Sequence, residues 1–541
     1  MSQDWLIFER GKWRQYTLDD WFWIAGLGMA SVVMFTLRLG SLALRDWDEG
    51  TVAQVAKEIS QAPFSALVWL FPTLNGQPYV NKPPLMHNLM AIAFHIGGIH
   101  EWTARLPGAL LTAISVPLLY AVGREVFAKR IPALFAAMVY LTLLPVARLG
   151  RLAMLDGAVL CFALVMMWCV LRSRRDVRFA LGIGIGFGLI CLTKGVMLGL
   201  LLGAIALLFL LWDTPRLLAH PYLWMGLAIG SVPVLGWYGT QWWRYGSPFL
   251  GGNLVNQSFS RIWTSVENNG GPPWYYLLEI VKYTAPWLLF LPLALQRAWQ
   301  NREMSWAKLA IVWGGLYLLA ISLMATKLPW YVLPLYPALA LMVGAQLAHW
   351  WEQGQPSSFL QKSTARYSRG WVFVLLLLAA VGGVGALYFA WWNEPAEWDL
   401  VALAIALMAT FATTAILIAR QNPQFLPVLG WGTYVVLMVL MVSDHWVWEL
   451  AEAYPVKPVA AIVQASVPRE RPVYTSFPYH RPSLNFYSDR FVHPADLASL
   501  QAHFLNEPTP YLLIQQEVMA QLQLPKPKIL GASQGFMLIT K

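Results

Sequence analysis

The chain has 541 residues, 57% of them hydrophobic and only 12% charged, whereas soluble domains carry about 25% charged residues. That excludes an ordinary soluble globular protein and reads as a polytopic α-helical membrane protein, built from runs near the roughly 20 apolar residues that cross a bilayer. The net charge of +10 fits Lys and Arg kept on inner loops, and no nucleic-acid partner is expected.

Thirteen windows are predicted to span: 21–44, 103–122, 131–147, 154–171, 179–192, 195–212, 221–239, 284–296, 309–324, 328–349, 371–392, 399–419 and 425–444. Arg10, Lys12 and Arg14 precede the first with no small-residue cleavage site, so a retained span is expected rather than a removed signal. With the N-terminus cytoplasmic, inner loops receive Arg124/Lys129/Arg130, Arg172/Arg174/Arg175/Arg178, Arg216, Arg297/Arg302/Lys308, Lys362/Arg366/Arg369 and Arg420. The positive-inside rule is then met, and an odd span count places the C-terminus outside.

Between the first two spans, residues 45–102 form a long outer loop. Val52, Val55, Ala56 and Ile59 recur at helical spacing with Thr51, Gln54, Lys57 and Glu58 opposite, the pattern of an amphipathic interfacial helix. A second helix is predicted in 83-PPLMHNLMAIAFHIGG-98, between prolines and Gly-Gly. The row 182-GIGIGFG-188 does not match GxGxxG, and its small residues four apart predict close helix packing. Cys161, Cys169 and Cys191 fall in apolar runs, with no disulfide framework or metal spacing. Residues 240–283 read as a second outer loop. Past the transmembrane domain 1–451, residues 452–541 turn polar, with strand-like PVYTSF, NFYSDRFV, PYLLIQ and GFMLIT, and read as a small exoplasmic α/β domain.

Charges at the outer ends of spans need a reason. In 45-RDWDEGTVAQVAKEIS-60, Asp46 and Glu49 have capping-box spacing, which leaves Asp48 over as a candidate base or cation ligand. Lys82 lies in 79-YVNKPPLMH-87, its backbone restricted by the prolines that follow. In 148-RLGRLAMLDG-157, Arg148, Arg151 and Asp156 could close the turn as an ion pair. Lys194, Lys327 and Arg105 are further outer-side cations, against the usual bias. Carboxylates Asp48, Glu49 and Asp156 with cations Lys82, Arg105, Arg151, Lys194 and Lys327 suit a phosphate bound at the bilayer surface beside an acid that takes a proton.

The segment DWDEGTVAQVAKEI, followed in order by GQPYVNKPP, EWTARLPGAL, LAMLDGAV, LTKG and TKLPWYVLP, resembles the C-type glycosyltransferase superfamily. Within it, the chain more closely resembles the branch of protein O-mannosyltransferases and bacterial aminoarabinose transferases of lipid A. The tail RPVYTSFPYHRPSLNFYSDR is similar to the periplasmic domain of the aminoarabinose branch. The resemblance implies a donor sugar on a polyprenyl phosphate and inversion at the anomeric carbon. It implies Asp48 as principal catalytic carboxylate with Glu49 its companion, Asp156 as second acid, Lys82 on a phosphate, and Lys194, Lys327 and Tyr331 lining the donor pocket. It also implies a bacterial inner membrane location. Close aminoarabinose transferases carry an arginine where this chain has Thr51 and a glutamate where it has Asn81, so a lipid, glycan or protein acceptor and a divalent metal both stay open. The alternative is a flippase for polyprenyl-linked sugars, but charges at span ends and no internal repeat favour the enzyme.

Overall fold

The computed structural model describes residues 16–63, 66–266, 269–354, 367–448 and 456–541. Arg10, Lys12, Arg14, Lys362 and Arg366 lie outside these residues, as does the 451/452 boundary. Two compact units result. One holds Val80–Leu85 and Gly108–Trp446 with the N-terminal segment to Arg38; the other joins Leu39–Tyr79, Met86–Pro107 and Val447–Lys541.

Among the described residues of the whole chain, nine helices are long and apolar enough to cross a membrane. Tyr275–Tyr283 and Trp287–Gln300, meeting at 114°, make a tenth if counted as one bent span. The other predicted windows hold helices that fall short of that set: Arg130–Leu141 has 12 residues and Asp156–Arg172 has 17, while Pro221–Tyr245 is long but carries Pro233 and many Trp and Tyr. The protein is a mostly helical, multi-pass membrane protein.

The glycine row lies in helix Ala180–Lys194. A Cβ on Gly184 would fall 2.0 Å from the Gly226 backbone, and one on Gly188 would fall 2.2 Å from the Gly230 carbonyl oxygen. Only glycine allows Pro221–Tyr245 to approach so closely, so the row packs helices as its spacing predicts. The predicted inner-loop arginines meet acids: Arg124 and Arg130 on Asp20, Arg172 and Arg175 on Glu125, and Arg174 on Asp213.

In the second unit, helix Asp48–Gln61 buries Val52, Val55, Ala56 and Ile59. Its other face is not left to an interface, contrary to the amphipathic pattern. Lys57 is buried there, donating to the Phe486 carbonyl at 2.7 Å and pairing with Asp489 at 2.9 Å. Burial alone would raise the Asp489 carboxyl, but Lys57 holds it below the usual carboxylate range. Strands β1 (Thr73–Leu74) and β2 (Gln77–Pro78) pair across Asn75-Gly76, both at positive φ, as type I′ hairpins require. Glu58 accepts from Thr73 Oγ1 and the Asn75 amide, both at 2.6 Å.

The tail is an α/β fold. Strands β3 (Val473–Thr475), β4 (Val492–Pro494), β5 (Leu512–Gln515), β6 (Lys528–Ser533) and β7 (Phe536–Thr540) form one sheet in the order β4-β3-β5-β7-β6. β3 runs parallel to β4 and β5, and β7 is antiparallel to β5 and β6. Val459 and Val463 of helix Val456–Ser466 pack with Val473, Leu513 and Leu538; Leu500 and Phe504 of helix Leu497–Asn506 pack with Leu512, Ile514 and Ile539. PVYTSF, PYLLIQ and GFMLIT contain β3, β5 and β7. NFYSDRFV does not stay extended: Pro482 opens helix Pro482–Ser488, left-handed Asp489 ends it, and β4 follows.

Candidate active site

The first group of candidate residues lies in the second unit. Asp46 and Glu49 do not form the predicted capping box: the helix begins at Asp48, its N-cap is Trp47, and no side chain caps it. Asp46 instead pairs with Arg481 and accepts from the Ser483 amide at 3.1 Å and hydroxyl at 2.7 Å. Glu49 is wholly buried and meets Arg105 in a two-pronged pair, Oε1 to Nε and Oε2 to Nη2, both 2.8 Å. The remaining Arg105 N–H groups go to the carbonyls of Leu39 (3.0 Å), Leu42 (2.8 Å) and Ala43 (2.8 Å). A guanidinium has five N–H donors, and all five are engaged. The expected phosphate contact of Arg105 therefore does not fit its geometry: it clamps the turn that leads to the acids.

Asp48 differs from both neighbours. Its side chain keeps 26% of its surface exposed, against 6% for Asp46 and 0% for Glu49. Arg45 Nη2 meets its Oδ2 at 3.0 Å. The Asp48 amide donates to the Asp46 carbonyl at 2.7 Å across Trp47, which sits at φ 62° and ψ −65°. That is a three-residue γ-turn of the strained kind, rare for a bulky L residue. Such strain costs of order 1–3 kcal/mol and persists where the surroundings impose it, often at functional sites. The Trp47 ring stands edge-on to Tyr479, 5.0 Å between centroids.

The second group lies in the first unit. Asp156, 4% exposed, opens helix Asp156–Arg172 and pairs with Lys194, the last residue of Ala180–Lys194. An acid at a helix start and a base at a helix end both suit the helix dipoles. The Lys194 ammonium lies 5.4 Å from the centre of the Tyr331 ring, whose hydroxyl accepts from Arg261 at 3.0 Å. Lys327 is buried, donates to the Ile321 (3.0 Å) and Ser322 (2.6 Å) carbonyls, and faces the Tyr276 ring at 5.4 Å. Burial pushes its ammonium below the ordinary lysine range.

Arg148 and Arg151 hold the segment around Trp446. Arg148 Nε donates to the Trp446 carbonyl at 3.1 Å. Arg151, fully buried, donates to the Met34 and Leu37 carbonyls and stacks on the Trp446 ring at 4.5 Å. Asp156 itself pairs with Lys194, joining two helix ends. Lys82 is half-buried ahead of Pro83 and Pro84. The carbonyls of Val80 and Asn81 just before it accept from Asn253 Nδ2 at 2.8 and 3.3 Å.

The structure thus brings Glu49 to Arg105 in one unit, and Asp156 to Lys194 and Tyr331 in the other. Asn253, Arg261 and Tyr276 complete these surroundings without having been singled out. All three lie in the aromatic, glycine-rich 240–283 stretch, and Arg261 was readable there as another outer-side cation. Chemically, a partly exposed carboxylate can accept a proton, while lysines framed by tyrosines can hold an anion.

Residues 81–238 match the family model of dolichyl-phosphate-mannose-protein mannosyltransferases. An undecaprenyl phosphate-α-4-amino-4-deoxy-L-arabinose arabinosyl transferase of Pseudomonas fluorescens is 26% identical over 76% of this chain and 73% of its own length. The corresponding protein of Aeromonas hydrophila is 26% identical over 72% of this chain and 70% of its own. In fold, the chain is similar to ArnT from Cupriavidus metallidurans crystallised with undecaprenyl phosphate: TM-score 0.77, 18% identity, 96% of this chain and 98% of that one. Fold and sequence together define a multi-pass membrane glycosyltransferase. Within that class the chain resembles the aminoarabinose-transferase branch of the C-type superfamily.

Proposed function

We propose that the protein is an inverting transferase that moves a sugar from a polyprenyl phosphate to a lipid, glycan or protein acceptor at the outer face of a bacterial inner membrane. The enzyme class, a glycosyltransferase served by a polyprenyl-phosphate-linked sugar, rests on the sequence relatives and the fold. In the proposed step Asp48 takes the proton of the acceptor hydroxyl as its oxygen attacks the anomeric carbon. The bond from that carbon to the phosphate oxygen breaks, and polyprenyl phosphate leaves with the negative charge. Lys82, Lys194 and Lys327 stabilise that charge, with Tyr331 lining the donor pocket and Asp156 holding Lys194. Glu49, Arg105 and Arg151 act by position. The polyprenyl tail stays in lipid, so the reaction belongs where headgroups meet water. The proposed topology keeps thirteen spans, a cytoplasmic N-terminus and a periplasmic domain from residue 452.

The observation that carries this reading is the contrast among adjacent acids: Asp48 alone of Asp46, Asp48 and Glu49 keeps a quarter of its side chain exposed, on a strained turn. The test is purified protein in liposomes with a panel of polyprenyl-linked sugars, carrier release being followed by mass. Release dependent on sugar and acceptor is expected; transbilayer movement of intact donor without release would establish the flippase. Lys82→Ala should weaken donor binding, and unchanged affinity would remove Lys82 from the phosphate site. A chelator arm reads the metal requirement.

A further inference from the structure

We propose that Glu397, Asp399 and His445 bind one divalent first-row transition metal ion of the Zn2+ type. None of these three residues has been given a role above. The site is built within the first unit from two stretches, the start of helix Trp398–Ala419 with its N-cap Glu397, and the segment that follows helix Phe425–Val442.

The geometry is that of a ligand set. His445 Nε2 lies 3.1 Å from Glu397 Oε2 and 3.5 Å from Asp399 Oδ2, and the three ligand atoms all fall within 4.8 Å of one another. Ligands at about 2.0–2.2 Å from a tetrahedral Zn2+ stand roughly 3.4 Å apart, so a small adjustment admits the ion. The carboxylates are already oriented from behind. Glu397 Oε1 accepts from Asn393 Nδ2 at 2.5 Å, Asp399 Oδ1 from the Leu400 amide at 2.9 Å, and Asp399 Oδ2 from the Asp444 amide at 3.3 Å. Outer contacts of this kind fix ligand direction in metal sites. Two carboxylates balance a double charge, and an imidazole beside them selects a borderline cation over Mg2+ or Ca2+, which ask for six or more oxygens. Side-chain exposures of 42% for His445, 34% for Glu397 and 35% for Asp399 leave an entry path and room for water at the remaining position.

The bound ion would tie the start of helix Trp398–Ala419 to the stretch containing His445. The next residue, Trp446, receives Arg148 on its carbonyl and Arg151 on its ring, so the ion would steady the segment that runs from those arginines to Asp156.

The test uses full-length protein in detergent, stripped with chelator, desalted, and titrated with Zn2+, Mg2+ or Ca2+ while metal content and unfolding temperature are read. One Zn2+ per chain is expected, with a raised unfolding temperature and no displacement by Mg2+ or Ca2+. His445→Ala and Glu397→Gln should each weaken Zn2+ binding about tenfold or more. If His445→Ala does not fold, Glu397→Gln carries the decision. No bound Zn2+, or the same affinity in wild type and variants, overturns the site.

Discussion

Glu49–Arg105 and Asp156–Lys194 are the same chemistry, a carboxylate and a cation near helix ends, set in two different ways. The first pair is wholly buried, with every guanidinium N–H engaged by Glu49 or a carbonyl of the 39–43 turn. The second leaves Lys194 15% exposed, with a tyrosine ring as its other neighbour. A fully satisfied pair fixes a chain, while a partly open one can exchange its contacts for a ligand's. Structure is expected from the first, binding from the second.

Glu49→Gln breaks that contrast at its strongest point. It leaves Arg105 buried without its counter-charge and should cost about 3–5 kcal/mol, read as a lowered unfolding temperature. Lys194→Met sharpens it from the other side. Loss of a charged partner worth about 1.5–3 kcal/mol should weaken polyprenyl-phosphate binding at least roughly tenfold, checked by titration calorimetry. Unchanged binding would make Lys194 purely structural.

The turn before Asp48 gives a smaller effect. Trp47→Gly and Trp47→Ala both lose the ring, but only Ala keeps the steric penalty of positive φ, about 1–2 kcal/mol per residue. The Gly variant should therefore unfold later than the Ala variant, by about 1 kcal/mol in stability. The smallest effect is acid sensitivity at Lys57–Asp489. The folded carboxyl is held below its unfolded value of about 3.9, so its stabilisation is complete above that pH and fades as pH falls through the depressed folded value. The stability gap between wild type and Asp489→Asn should narrow below about pH 4 and hold steady above pH 5.

Periodicity and charge made much of this legible. Spans, the two loop helices, the glycine packing row and three of the tail strands follow from local patterns that tertiary contacts reinforce. What was hidden depended on residues far apart in sequence. Asp46 looked like a cap because its true partners, Arg481 and Ser483, lie more than 400 positions away. Arg105 read as an outer-side cation suited to a phosphate because carbonyl acceptors carry no sequence signature. Lys57 read as a surface charge because nothing near it announces the Pro482–Ser488 helix. β6 escaped because KILGAS is largely exposed and weakly alternating.

Turnover of Asp48→Asn in liposomes, normalised to folded protein and run beside Glu49→Gln, tests the central claim most directly. The expected result is a fall of about 10²–10⁴-fold in carrier release, with an unfolding curve within about 1 kcal/mol of wild type, because its pair with Arg45 is partly exposed. Near-wild-type release from well-folded Asp48→Asn protein would contradict it.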